Sequence, residues 1–129
     1  MIAQHLGAVD VIVQVTGAPL KVVRIDGDEY IDCRVLINFE SRTSQYYHVV
    51  IPTLPGKCEC KVRNDEVSVM RLKEFLQDKV WLHVVGSSRI HHPISEDDTP
   101  EKIAADPEAY AQCEIHLDAT SVAVINGGV

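Results

Sequence analysis

The chain has 129 residues, enough for one domain with a real hydrophobic core. Its 46% hydrophobic and 24% charged residues exclude a disordered or low-complexity chain, and no apolar run is long enough to span a bilayer. The net charge of −7 falls entirely on residues 94–129, where eight acids face one cation, while residues 1–93 carry 11 cations and 11 acids. A global acidic balance disfavours a nucleic-acid partner, whereas a neutral body with a local acidic segment disfavours it much less.

Val9–Thr16 alternates with period two. Val9, Val11, Val13 and Val15 share one face, and Asp10, Ile12, Gln14 and Thr16 the other, as in a strand with one face in the core. Gly17, Ala18 and Pro19 end it. Leu20–Asp26 is a second extended run, and Asp26-Gly27 is a hairpin signal because both central positions of a type I′ turn need positive φ. Beyond the turn, Ile31, Cys33, Val35, Ile37 and Phe39 form one face and Tyr30, Asp32, Arg34, Leu36 and Asn38 the other.

Gln45–Ile51 alternates again, with Tyr47, Val49 and Ile51 against Tyr46, His48 and Val50. Pro52 and Pro55 interrupt pairing, since proline gives no ladder donor. Lys57–Arg63 resumes with Cys58, Cys60 and Val62 inward and Lys57, Glu59, Lys61 and Arg63 outward. An amphipathic helix follows, capped by Asp65 or Ser68, with Val69, Leu72, Phe75 and Leu76 on its apolar stripe. Val80–Val85 is apolar on both faces, as befits a central strand. Gly86–Ala111 reads as a long connection, with helix-start signals at Thr99-Pro100-Glu101 and Asp106-Pro107-Glu108. Cys113–Asp118 and Ser121–Ile125 read as closing strands.

This order predicts a mainly β fold: a five-stranded OB-like barrel with one helix between barrel strands 3 and 4 and a long loop before the last strand. Residues 1–129 are expected to form a single domain whose acidic connection is 94–111. The N-terminal MIAQHLGAVD lacks a basic segment followed by an apolar run, so a cytoplasmic protein with no membrane partner is expected.

No nucleotide loop, metalloprotease helix or nucleophile elbow is present, so neither an enzyme nor a cofactor is expected. Cys58-x-Cys60 and Cys113-x-x-His116 offer four soft ligands. All four cysteines, however, lie in the apolar phase of their strands, which favours core packing over a metal. His91-His92 precedes Pro93 in what reads as a loop, where solvated histidines are the simpler expectation. One constellation remains: the non-core faces carry Tyr30, Arg34, Tyr46, His48, Lys61 and Arg63. Rings that stack bases, interleaved with cations that offset phosphates, are what single-stranded nucleic acid requires.

Several segments resemble the bacterial single-stranded DNA-binding protein family and its OB-fold relatives in replication restart. VDVIVQVTGAPLKVVRIDG is similar to its first strand and turn, DCRVLINFES to its second strand, and QYYHVV to its aromatic-basic third strand. VMRLKEFLQDKVWLHVVGS resembles its helix and following strand, and SVAVINGG its final strand. The resemblance implies DNA rather than RNA as ligand, with Tyr46 at the aromatic and His48 at the basic position.

Two protein interactions are also expected. Trp81, His83 and Val85 share the outward face of their strand, an apolar patch suited to a homo-oligomer, most simply a dimer. The acids Glu96, Asp97, Asp98 and Glu101 suit a basic protein partner, so the alternative function is an OB-like interaction module or inhibitor.

Overall fold

A computed structural model describes residues 7–38, 44–91, 99–107 and 114–126. Eight strands account for most of these: β1 (Ala8–Val15), β2 (Lys21–Ile25), β3 (Asp28–Asn38), β4 (Ser44–Pro52), β5 (Glu59–Val62), β6 (Asp65–Val67), β7 (Trp81–His91) and β8 (Glu114–Asn126). Two short helices, α1 (Val69–Lys73) and α2 (Pro100–Ala105), complete the description. No helix among the described residues is long and apolar enough to cross a membrane.

Five strands close a ring. β1 pairs antiparallel with both β3 and β7, β3 with β4, and β7 with β8, while β4 and β8 close the circle in parallel. The order β1-β3-β4-β8-β7 with one parallel contact is the OB arrangement expected from the sequence. The predicted inward residues fill it: Val13, Val15, Ile31, Cys33, Val35, Val49, Ile51, Leu82 and Val84 are buried in one core, and Val122 of β8 joins them. The Asp26-Gly27 turn has positive φ at both positions (52° and 85°) and sets the β2–β3 register at Ile25↔Asp28.

α1 lies between β4 and β7, the third and fourth strands of the ring, as predicted. Ser68 is its cap, its hydroxyl accepting from the Arg71 N–H at 3.1 Å, whereas Asp65 opens β6. The helix stops at Lys73, because the next bonds run from the Phe75 N–H to the Leu72 carbonyl and from the Leu76 N–H to that of Lys73. Lys79 then turns at φ 69° into β7. Val69, Leu72 and Leu76 are buried against the core, so the apolar stripe does its expected work over a shorter helix.

Three boundaries differ from the sequence reading. The Lys57–Arg63 run forms only β5, which turns back through Arg63 and Asn64 (φ 52° and 70°) into β6. β5 joins the parallel side of β8 and extends the sheet outside the ring. β7 does not end at Val85 but runs on to His91, its register against β8 shifting between Val85 and Gly86. Gly86 permits this close crossing: a Cβ there would lie 2.0 Å from the Asp118 carbonyl oxygen. The two predicted closing strands are one continuous strand, β8.

Candidate nucleic-acid interface

The extensions of β7 and β8 create a polar outer face across β3, β4, β8 and β7. Register places Arg34 opposite His48, His48 opposite His116, and His116 opposite Arg89, so one row crosses four strands. A neighbouring row holds Asp32, Val50, Asp118 and Ser87. On the other side of the histidine row, Leu36 opposes Tyr46 and Glu114 opposes His91. These side chains alternate with Cys33, Val35, Val49 and Leu117, which point into the core, although Val50 in the neighbouring row is itself fully buried.

The groups interlock. The two ring nitrogens of His48 meet two carboxylates, Nδ1 at 2.8 Å from Asp32 Oδ1 and Nε2 at 3.2 Å from Glu114 Oε2. The hydrogen bond to Asp32 holds the His48 pKa above its ordinary value, against burial and the charge of Arg34. Glu114 Oε1 accepts from His116 Nε2 at 3.0 Å. Arg89 donates Nε to Asp118 Oδ2 at 2.6 Å, Nη1 to His91 Nδ1 at 3.2 Å and Nη2 to His116 Nδ1 at 3.3 Å. Because arginine only donates, both Nδ1 atoms accept, and His116 is a neutral imidazole with its proton on Nε2. Burial, with His91 and Arg89 nearby, lowers its pKa, and the bond to Glu114 opposes that shift. His91 stacks on His116 with ring centres 4.3 Å apart. Although it faces outward, His116 is only 2% exposed because this network covers it.

Beside the network stands an open platform. Tyr46 is 55% exposed, and the Arg34 guanidinium lies over its ring, 4.3 Å from the centroid. A cleft of about 440 Å³ runs alongside, lined by Ala18, Pro19 and Lys21 from the β1–β2 region and by Asp32, Arg34, His48 and Glu114.

The sequence-predicted residues therefore separate. Arg34, Tyr46 and His48 come together. Tyr30 sits farther along β3, opposite Pro52, and lines a different cleft with Lys57 and Asp118. Lys61 pairs with Glu59 at 2.7 Å and lies opposite Ala123, seven positions along β8 from His116. That is about 23 Å of strand path. Arg63, in the β5–β6 turn, lines a cleft of about 660 Å³ with Asp10, Ile12, His83 and Ile125. His83 is paired with Asp10, and Trp81 is half-buried opposite Gln14. Glu101 is exposed in the first turn of α2, where Thr99 caps the helix. Glu96, Asp97, Asp98, His92 and Cys113 lie outside the described residues.

Sequence reasoning missed Arg89, Glu114 and Asp118 as site residues, and it weighed His91 and His116 only to set them aside. Their signal was the alternation Glu114-Ile115-His116-Leu117-Asp118, which sets three ionisable groups on one face. His91, read as a loop residue, belongs to β7 because the strand continues beyond Gly86.

No family model and no curated protein matches the chain. Among solved structures it is similar to the Plasmodium falciparum SSB in complex with ssDNA, at 16% identity over 93% of each chain, with a TM-score of 0.47.

Proposed function

We propose that the chain is a non-catalytic module that binds single-stranded nucleic acid across β3 and β4. The observation that carries this reading is the exposed Tyr46 ring with Arg34 over it, set on the second and third strands of the OB ring. OB folds bind oligonucleotides on that face. A base stacked on Tyr46 gains about 1–3 kcal/mol, and Arg34 and Lys21 border the cleft through which the backbone would pass. Asp32, Glu114 and Asp118 offset the cations of this face, so binding is modest and depends mainly on stacking. With two phosphate contacts, affinity should fall with salt at a log–log slope of about −1.4.

Fluorescence anisotropy of a labelled single-stranded oligonucleotide tests this directly. Tyr46→Ala should weaken binding by about 1–3 kcal/mol, roughly 5- to 150-fold, with the fold unchanged. No anisotropy change at low salt and high micromolar protein would overturn the proposal.

A specific observation supports a second surface. On the far side of the barrel, Ile12 and Ile125 are 58% and 46% exposed in the cleft shared with Asp10, His83 and Arg63. Exposed apolar groups beside charges of both signs suit a two-fold contact with a second copy of the chain. A role as a protein-interaction module would use this same surface.

A further inference from the structure

The histidine row contains a geometry that base stacking leaves unused. His48 Nε2 lies 3.2 Å from one oxygen of Glu114, and His116 Nε2 lies 3.0 Å from the other. One donor atom from each of the three residues falls within 4.8 Å of the others. Zinc binds imidazole nitrogen and carboxylate oxygen at about 2.0–2.2 Å in a tetrahedron, which sets neighbouring ligand atoms about 3.3 Å apart. Each N···O distance is near that length, but they run to different oxygens of Glu114, so the carboxylate must turn to set one oxygen beside both nitrogens.

The supports also match. Asp32 Oδ1 holds Nδ1 of His48 at 2.8 Å, the outer carboxylate that fixes an imidazole so that Nε2 faces the ion. His48 and His116 are register partners on β4 and β8, and Glu114 precedes His116 by two residues on the same face, so paired strands rather than loops carry all three ligands. With neutral imidazoles, the carboxylates of Asp32, Glu114 and Asp118 balance Arg34, Arg89 and Lys21 of the same face, so the ligand set rather than net charge would hold the ion. We propose that His48 Nε2, His116 Nε2 and the Glu114 carboxylate form a zinc site, with a fourth position open to water or to an added ligand. Two imidazoles and one carboxylate suit Zn²⁺ better than Ca²⁺ or Mg²⁺, which take oxygen ligands.

Arg89 opposes the ion at His116, and this gives the site a distinctive signature. Zinc on Nε2 of His116 requires the proton to sit on Nδ1, where Arg89 Nη2 now donates at 3.3 Å. Arg89 must release that contact while keeping Asp118. Arg89→Gln removes a positive charge and offers an amide oxygen to the Nδ1 proton, so it should tighten zinc binding.

The test is isothermal titration of the chelator-stripped full chain with zinc chloride, together with the visible spectrum of the cobalt(II) form. One equivalent of zinc should bind, and cobalt should give the strong bands of a four-coordinate site without thiolate charge transfer. His48→Gln and Glu114→Gln should each weaken binding at least tenfold, and Asp32→Asn by about 10- to 100-fold. The double variant Cys58→Ser, Cys60→Ser should bind as the parent does. Far-UV circular dichroism and melting curves establish that each variant is folded, and the cobalt spectrum of the unsubstituted chain needs no variant at all. Absence of saturable uptake at millimolar zinc would overturn the proposal. So would uptake that survives in folded His48→Gln and Glu114→Gln, a cobalt spectrum with thiolate bands, or weaker binding by Arg89→Gln.

Discussion

Substituting Gly86 tests the crossing that creates the polar face. At Gly86→Ala the new Cβ would meet the Asp118 carbonyl oxygen at 2.0 Å, the Asp118 carbonyl carbon at 2.9 Å and Ala119 Cα at 3.0 Å. All three are backbone atoms, so no flexible side chain can move aside, and the strands must part by roughly 1 Å to restore van der Waals distance. Overpacking of this kind costs about 1–3 kcal/mol. Parting β7 from β8 also weakens the ladder bonds beside the register shift, each worth about 1 kcal/mol. A loss of about 3–4 kcal/mol is therefore expected, or a fall in Tm of about 10–15 °C for a domain of this size. Urea unfolding followed by the fluorescence of Trp81, the only tryptophan, measures it. Gly56→Ala is the comparison: its φ of 79° penalises alanine, but nothing lies within 4 Å of the added methyl, so about 1 kcal/mol is expected. If Gly86→Ala stays within about 0.5 kcal/mol of the parent, the close crossing of β7 and β8 is wrong.

Burial, aided by the charge of Asp32, pushes the Cys33 thiol from about 9 up to about 12. The folded state thus favours the neutral thiol. This group leaves stability unchanged below about pH 9 and should remove about 1.4 kcal/mol per pH unit as pH rises from there toward 12. Cys33→Ala should lack that share of the alkaline slope in urea midpoints measured from pH 8 to 11, and parallel profiles would refute the assignment. For the far-side surface, light scattering at micromolar concentration should give twice the 14.3 kDa chain mass, and Ile12→Glu should halve it. A monomeric parent chain would remove the dimer.

Period-two alternation carried the ring because five of its strands each have one dry face. The valines of β1 and the Cys33/Val35 face of β3 could be placed before any pairing was known. What alternation cannot reveal is where a strand stops when no turn residue intervenes. Gly86 looked like an ending, since glycine usually weakens a strand, yet here its missing side chain lets another backbone pass. Conversely, Ala119 and Thr120 looked like a break in β8, but the strand runs through them. The hairpin of β5 and β6 was hidden because Arg63-Asn64 takes the left-handed conformation without glycine.

The site was less legible, for a physical reason. Phase tells which side chains leave the core, but the outside of a barrel curves away from itself, so residues of equal phase need not meet. Tyr46, His48 and Arg34 were recoverable because β3 and β4 are sequential strands whose register follows from local pairing. Lys61 has the same outward phase, yet β5 attaches to β8 at Ala123 rather than near His116. The missing partners depend on the parallel β4–β8 contact, which joins residues 48 and 116 across most of the chain. That contact also adds what a count of cations near Tyr46 leaves out. It brings Glu114 and Asp118 beside the histidines, so the surface is a balanced ionic network with one exposed aromatic platform. On the proposed reading nucleic acid would engage chiefly through Tyr46 and Arg34, while the network behind them is the place where an added dication would make the face positive.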